Sequence, residues 1–234
     1  MSLKEQVDGM HSDQSDIARV TRSKAEAERG YDRLSRWYDL LAEGSERRAR
    51  DAALRMLGAR EGETVLEIGF GTGHGIVALA QGVGTSGRVY GIDLSPGMLR
   101  VAEARVRKAG LSERVQLQLG DATRLPFREG FFNAVFLSFV LELFDTPEIP
   151  VVLAECRRVL RMGGRIGVVA LSKQGRPGMA ARLYEWAHRR FPALVDCRPI
   201  HVRRAVQQAG FQPMEVAETS MWWLPVEIVV ARKG

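Results

Sequence analysis

The stretch TVLEIGFGTGHG, Thr64 to Gly75, sets one acid, Glu67, near the end of a short apolar run and then places glycines at 69, 71, 73 and 75. Glycine weakens an ordered element, so this density needs a reason. A strand-to-helix turn needs one or two. The surplus predicts a main chain that a ligand approaches closely, with no side chains between. Two more acids follow apolar runs: Asp93 closes GRVYGID, and Asp121 stands in GDAT. A carboxylate on a rigid strand end can accept two hydrogen bonds from a diol, and charge-assisted bonds are the stronger kind. Each acid also has a structural reading, Asp93 as a helix-start residue favoured by the dipole and Asp121 as a turn former. Together with the glycine loop, the ligand reading is favoured.

Elements must position these residues. From Gly62 onward the chain alternates between strand and helix. TVLEIG is the first strand, and His74 to Gln81 a helix closed by Gly82. GRVYGID is the second strand; Ser95 then caps a helix with Pro96 at its first position. Met98, Val101, Ala102 and Val106 follow helical spacing until Gly110. RVQLQLGD, FFNAVFLSF and GRIGVVAL read as three further strands. A helix over Pro147 to Arg161, ended by Gly163-Gly164, precedes the last of these, and the C-terminal tail supplies two late strands. Strands joined by helices imply a mostly parallel sheet covered on both faces. Residues 1–16 are polar and read as a disordered start. Residues 17–58 have a helical pattern, interrupted at Gly44, with Ser45 capping the helix that follows. Residues 59–234 form the α/β domain.

Composition excludes several classes. An apolar fraction of 45% and a charged fraction of 26% are those of a globular chain. No apolar stretch reaches the ~18 residues that a membrane helix needs. Cys156 and Cys197 are too few and too far apart for a disulfide framework or a four-ligand zinc site, so no metal is expected. The polar N-terminus lacks a signal-peptide core, and the expectation is a cytoplasmic protein with free thiols. The net charge of +6 is a weak pointer to anionic partners.

The glycine spacing discriminates between ligands. A dinucleotide fingerprint, G-x-G-x-x-G/A, fits only from Gly73 to Ala78, beyond the point where the turn should be complete. Glu67 to Gly73 instead resembles the first motif of the class I S-adenosylmethionine-dependent methyltransferases, an acid followed by G-x-G-x-G. YGIDLSPGML, GDATRLPF and AECRRVLRMGGRIGVV resemble that family's later motifs, in order. The resemblance implies a doubly wound, Rossmann-like, mostly parallel seven-stranded sheet with the last strand antiparallel. It also implies S-adenosyl-L-methionine as cofactor. Asp93 would hold the ribose diol, Asp121 the adenine amine and Glu67 the ammonium of the methionine tail. The cofactor-binding set implied is Tyr31, Tyr38, Glu67, Gly69, Phe70, Gly71, Thr72, Gly73, Asp93, Leu94, Met98, Gly120, Asp121, Ala122 and Ser138. Phe70 stands where the family often has a small residue, and its ring would contact the cofactor or narrow the pocket. His74 is expected to be a helix-start residue without a catalytic role.

The acceptor is read from what surrounds the core motifs. LSFVLEL, Leu137 to Leu143, lacks the proline pair of enzymes that methylate base or glutamine amino groups, and no appended nucleic-acid-binding domain is expected. The stretch is apolar except for Ser138 and Glu142. GYDRLSRWYDLL resembles the N-terminal segment of the ubiquinone/menaquinone-biosynthesis C-methyltransferase group, which implies a helical lid carrying Tyr31 and Tyr38. Residues 173–204 lie where that group inserts its substrate cap. The segment is arginine-rich and amphipathic, which allows peripheral contact with an anionic membrane surface as well as an ordinary cap helix. A small or lipid-like acceptor follows, a quinol-type ring or a phospholipid amine. No catalytic residue is assigned; Glu142, Asp145 and His201 are candidates for a base. The alternatives are an NAD(P)-dependent oxidoreductase and a non-catalytic S-adenosylmethionine-binding regulator. The oligomeric state is open.

Overall fold

The computed structural model describes residues 43–173, 198–221 and 224–234. They form α1 (Glu43–Leu57), β1 (Thr64–Ile68), α2 (His74–Gly82), β2 (Arg88–Asp93), α3 (Pro96–Lys108), β3 (Val115–Leu119) and β4 (Phe132–Ser138). A 3-10 turn (Leu141–Leu143), α4 (Glu148–Val159), β5 (Leu160–Leu171), α5 (Val202–Gln208), β6 (Phe211–Met221) and β7 (Leu224–Lys233) follow. The seven strands lie in the order β3-β2-β1-β4-β5-β7-β6. Only β7 runs against the rest, paired antiparallel with both β5 and β6. This is the doubly wound, mostly parallel sheet expected. The order reverses between β1 and β4, and in such sheets ligands bind outside the strands' carboxyl ends at that point.

Alternating side chains commit the sheet to two cores. On one face Leu66, Ile68, Val135, Leu137, Ile166 and Val168 pack with α4 and α5. On the other, Val65, Val89, Ala134, Phe136 and Val169 pack with α1, α2 and α3. The connection from β3 to β4 contains no helix. Aromatic rings do its covering there: Tyr90, Phe127, Phe131 and Phe132 meet mostly edge to face, with centroids 4.9–5.7 Å apart in those pairs.

Two local expectations are corrected. Gly44 does not interrupt the N-terminal helical region and Ser45 does not cap its successor, because α1 runs through both from Glu43. A glycine costs only about 1 kcal/mol in a helix, which the packing of a long amphipathic segment exceeds. The second correction concerns Gly163-Gly164. The helix α4 already ends at Val159, and Leu160 pairs with Phe132 as the first residue of β5. The register then shifts before Arg165 meets Ala134. A Cβ on Gly164 would come within 2.8 Å of Arg161 O, so the glycine pair permits this irregularity inside the strand rather than ending the helix.

Arg165 ties α1 to the sheet. Its Nε donates to Leu57 O at 2.9 Å and its Nη2 to Gly58 O at 3.1 Å, satisfying carbonyls at the end of α1. The same guanidinium forms a fork on Glu63, at 3.1 and 2.7 Å. Burial alone would raise the Glu63 carboxyl, but the hydrogen bonds from Arg165 and from Arg60 N outweigh it and hold the pKa low. Arg165→Ala is expected to destabilise the fold by about 2–4 kcal/mol, since it strands a nearly buried carboxylate and two carbonyls. Urea denaturation should show a lower midpoint at unchanged m-value. The difference should shrink as pH falls below the ordinary carboxylate range, because Glu63 stabilises only while it is ionised.

Candidate active site at the carboxyl edge of the sheet

The glycine loop leaves β1 as a series of left-handed residues: Gly69, Gly71 and Gly73 have φ of 67°, 50° and 84°. L side chains rarely adopt this backbone, which explains the alternation. The three sites differ in surroundings. A Cβ on Gly69 would overlap Val140, and one on Gly73 would meet Ala102 at 2.9 Å, so both are close-packed. A Cβ on Gly71 would meet nothing within 4 Å. Gly71 is the open point of the loop. Thr72 beside it is also partly exposed.

Asp93 fixes this loop in place. One carboxylate oxygen accepts from Gly71 N and the other from Ser95 N, both at 2.9 Å. It therefore joins the loop after β1 to the turn after β2. Burial raises its pKa, opposed by the backbone N–H groups of Ser95, Gly71 and Leu94. Gly69 N donates to Ile92 O and Gly120 N to Asp93 O, so the tips of β1, β2 and β3 are laced together. Asp121 follows at the end of β3, where Oδ1 accepts from Thr123 N at 2.9 Å in a local turn. Ser138 ends β4, one strand to the other side of β1, paired with Val169. The sequence-derived acids, glycines and Ser138 thus converge on one edge.

Several members of the expected set are placed differently by packing. Phe70 is buried; its ring lies beside Gly91, whose Cβ would come within 2.7 Å of it. The large side chain fits because β2 carries a glycine opposite, and the ring belongs to the core rather than narrowing the cleft. Met98 is buried in the same core and Ala122 in the opposite one. Leu94, by contrast, is exposed. Tyr31 and Tyr38 lie outside the described residues, as does most of the expected cap. His74 sits against the Arg105 guanidinium of α3. Asp145 is engaged at the start of α4, where its carboxylate accepts from Thr146 N at 2.8 Å. His201 precedes α5 within electrostatic reach of Glu227 on β7.

Glu67 is the unusual group. It is 2% exposed, and its Oε2 has no hydrogen-bond partner among the described residues. The carboxylate occupies the space where a Cβ on Gly75 would stand, so the fourth glycine makes room for the acid. Burial pushes its pKa up to about 8; Arg50 on α1 opposes this and Asp93 adds to it. Sequence reasoning missed Arg50. Its side chain is 14% exposed, whereas Arg47, three residues earlier on α1, is 69% exposed. The helical spacing held that signal, but only the packing of α1 shows which arginine turns inward. A buried carboxylate with one unpaired oxygen and a guanidinium in electrostatic range suits a ligand that carries both an ammonium and a carboxylate.

Comparison with known proteins bears on the fold that carries this edge. Residues 65–164 match the family model described as a methyltransferase domain. This segment is similar to that family's domain. The matched span covers β1 to the middle of β5, and so contains every carboxyl-edge residue described from Glu67 to Ser138. The chain is 33% identical over 147 residues to a demethylmenaquinone methyltransferase of Lactobacillus johnsonii, covering 63% of this chain and 58% of the relative. It is 34% identical over 147 residues to a 2-phytyl-1,4-naphtoquinone methyltransferase of Synechococcus elongatus, covering 63% and 61%. The chain thus spans about half to three-fifths of the length of such relatives. Among solved structures it is similar to a SAM-dependent methyltransferase from Aquifex aeolicus, with a TM-score of 0.60, 24% identity and coverage of 79% and 89%. It is also similar to the cyclase SpnF, with a TM-score of 0.73, 19% identity and coverage of 91% and 97%. The fold is that of the class I methyltransferases. No described helix is long and apolar enough to cross a membrane.

The raised pKa of Glu67 has a consequence for stability. Unfolded, the carboxyl ionises near 4.5; folded, it stays protonated to about 8. Stability should therefore fall as pH rises between these values, by up to about 1.4 kcal/mol per pH unit, and level off above. In Glu67→Gln the slope over pH 5–8 should be shallower by about one proton. Denaturant titrations at pH 5, 6, 7 and 8 check this, and equal slopes would remove Glu67 as the cause.

Proposed function

We propose that the chain is an S-adenosylmethionine-dependent methyltransferase whose acceptor is a quinol-type aromatic ring. The observation that carries the cofactor is the orphaned Glu67 Oε2, buried within electrostatic range of Arg50, on the strand that leads into the open backbone at Gly71. These residues fit the cofactor end to end. Glu67 would take the ammonium and Arg50 the carboxylate of the methionine tail. Gly71 and Thr72 offer uncovered main chain to the nucleoside. Asp93 would take the ribose diol, each oxygen keeping a lone pair beyond the backbone bond it already accepts. Asp121 and Gly120 stand at the end of β3 for the adenine.

The bound cofactor supplies an electrophilic methyl group on a sulfonium. The protein's part is alignment and exclusion of water, which can account for much of the acceleration of an in-line displacement. Asp93, Gly69 and Gly120 perform it by locking three strand tips into one surface. The sulfonium's charge is met by a carboxylate-rich edge. The relatives' printed names support a naphthoquinone-derived acceptor, and the apolar stretch after β4 suits such a ring. Likeness of fold alone would not choose the reaction, since the cyclase SpnF shares the fold.

Calorimetry should show S-adenosylmethionine binding, with NAD(P)H giving no heat. At pH 6.5–7, binding should release protons, measured as a dependence of the heat on buffer ionisation enthalpy. The ligand's ammonium favours ionised Glu67, which burial keeps protonated in the free protein. Glu67→Gln should lose this release and weaken binding at least tenfold. Methyl-labelled cofactor with dithionite-reduced 2-phytyl-1,4-naphthoquinone should give a labelled ring. Heat from NAD(P)H and none from S-adenosylmethionine would overturn the cofactor; binding without transfer to the quinol would overturn the acceptor.

A further inference from the structure

A second buried carboxyl stands at the same edge, on the far side of β4 from the glycine loop's acids. Glu142 is 0% exposed. Its Oε1 accepts from Leu171 N, at the end of β5, at 3.2 Å. Its Oε2 has no hydrogen-bond partner among the described residues. Buried polar atoms are nearly always paired, so an orphan at a ligand-binding edge marks a missing partner.

The loop that carries Glu142 is built with strain. Phe139, directly after β4, has φ of 54°, the only positive value outside glycine among the described residues. For a bulky side chain this backbone is unfavourable by about 1–3 kcal/mol and persists where the surroundings impose it. They do so here: Phe139 N donates to Val169 O at 2.8 Å and its ring is buried. The turn then seats Val140 directly on Gly69, against the space a Cβ would fill. The loop thus touches the cofactor loop with one residue and presents Glu142 two residues later. On its outer side, Arg198 donates to Phe144 O at 2.5 Å and to Thr146 Oγ1 at 3.0 Å, pinning the return from the cap region to this loop.

We infer that Glu142 is the proton-accepting catalytic residue for the methyl acceptor, taking the hydroxyl proton of a quinol through Oε2. The inference rests on the acceptor reading above. Glu142 removes the O–H proton. The ring carbon forms its bond to the methyl group as the sulfur–methyl bond breaks, that electron pair staying on sulfur. The proton on the methylated carbon then moves to the ring oxygen and restores the aromatic quinol. One net proton, held by Glu142, passes to solvent. The environment suits the task. Burial pushes the Glu142 pKa up to about 8, opposed by its own backbone N–H and Leu171 N; Glu46 on α1 raises it and Arg198 before α5 lowers it. A base serves best when its pKa lies near the operating pH.

The test uses the full chain with labelled cofactor and reduced 2-phytyl-1,4-naphthoquinone. Glu142→Gln should lower kcat at least 100-fold, with KM for the quinol and the cofactor's Kd each within threefold. Wild-type kcat/KM should rise with pH to a plateau near or above 8, and Glu142→Gln should lack that limb. Glu142→Asp should keep the limb and recover part of the rate. Unchanged kcat in Glu142→Gln, or an effect on KM alone, would overturn the inference and leave the methyltransferase reading intact. A wild type that binds cofactor but leaves the quinol unmethylated would overturn both the acceptor and the role of Glu142. If Glu142→Gln does not bind cofactor, the Asp variant decides: a folded, cofactor-binding Asp enzyme without the pH limb would make Glu142 structural.

Discussion

A carboxyl oxygen held out of water without a hydrogen-bond partner is unfavourable, and this chain holds one near the tip of its first strand. Glu67 is buried, and its carboxyl fits because Gly75 has no side chain. Removing water from such a group favours its neutral form and leaves an acceptor site unmet. Asp93 holds the glycine loop through Gly71 N, and Gly71 is open while Gly69 and Gly73 are close-packed. Arg50 reaches in from α1 with the opposite charge.

The edge divides at β1 and β4. On one side lie groups suited to a nucleoside with an amino-acid tail: Glu67, Gly71, Asp93 and Asp121. On the other lies a mostly apolar loop with one buried acid, Glu142. Val140 against Gly69 is the physical link between the two halves. A shift of the glycine loop would therefore disturb the loop after β4, and binding on one side is mechanically joined to geometry on the other. The two orphaned carboxyls have similarly raised pKa values for the same leading reason, burial, but different neighbours: Arg50 and Asp93 for Glu67, Glu46 and Arg198 for Glu142.

Much of this was legible in the residues. The alternation of strand and helix, the Ser95 cap on α3 and the glycine loop after β1 follow from local rules that act within a few residues, and the structure places them as read. The ordered motifs led to the fold, and the match over residues 65–164 agrees with it. What was misread depended on partners distant in sequence. Phe70 was expected to face the cleft, but Gly91 on the neighbouring strand opens a core site for its ring. Gly163-Gly164 was taken for a helix stop, but Leu160 was already committed to pairing with Phe132.

The sequence by itself determined the strand-and-helix order, the two-faced apolar pattern that makes a doubly wound sheet, and the acids and glycines at the strand ends, because those depend on side-chain period and backbone freedom along a short stretch. Only the tertiary structure decided which arginine of α1 comes within electrostatic range of Glu67, that Val140 rests on Gly69, and that Glu142 is buried against Leu171 N with one oxygen unmatched. Desolvation and charge pairing depend on what surrounds a group in space, and the charged groups that act on Glu142 come from Glu46 and Arg198, on either side of it and far along the chain.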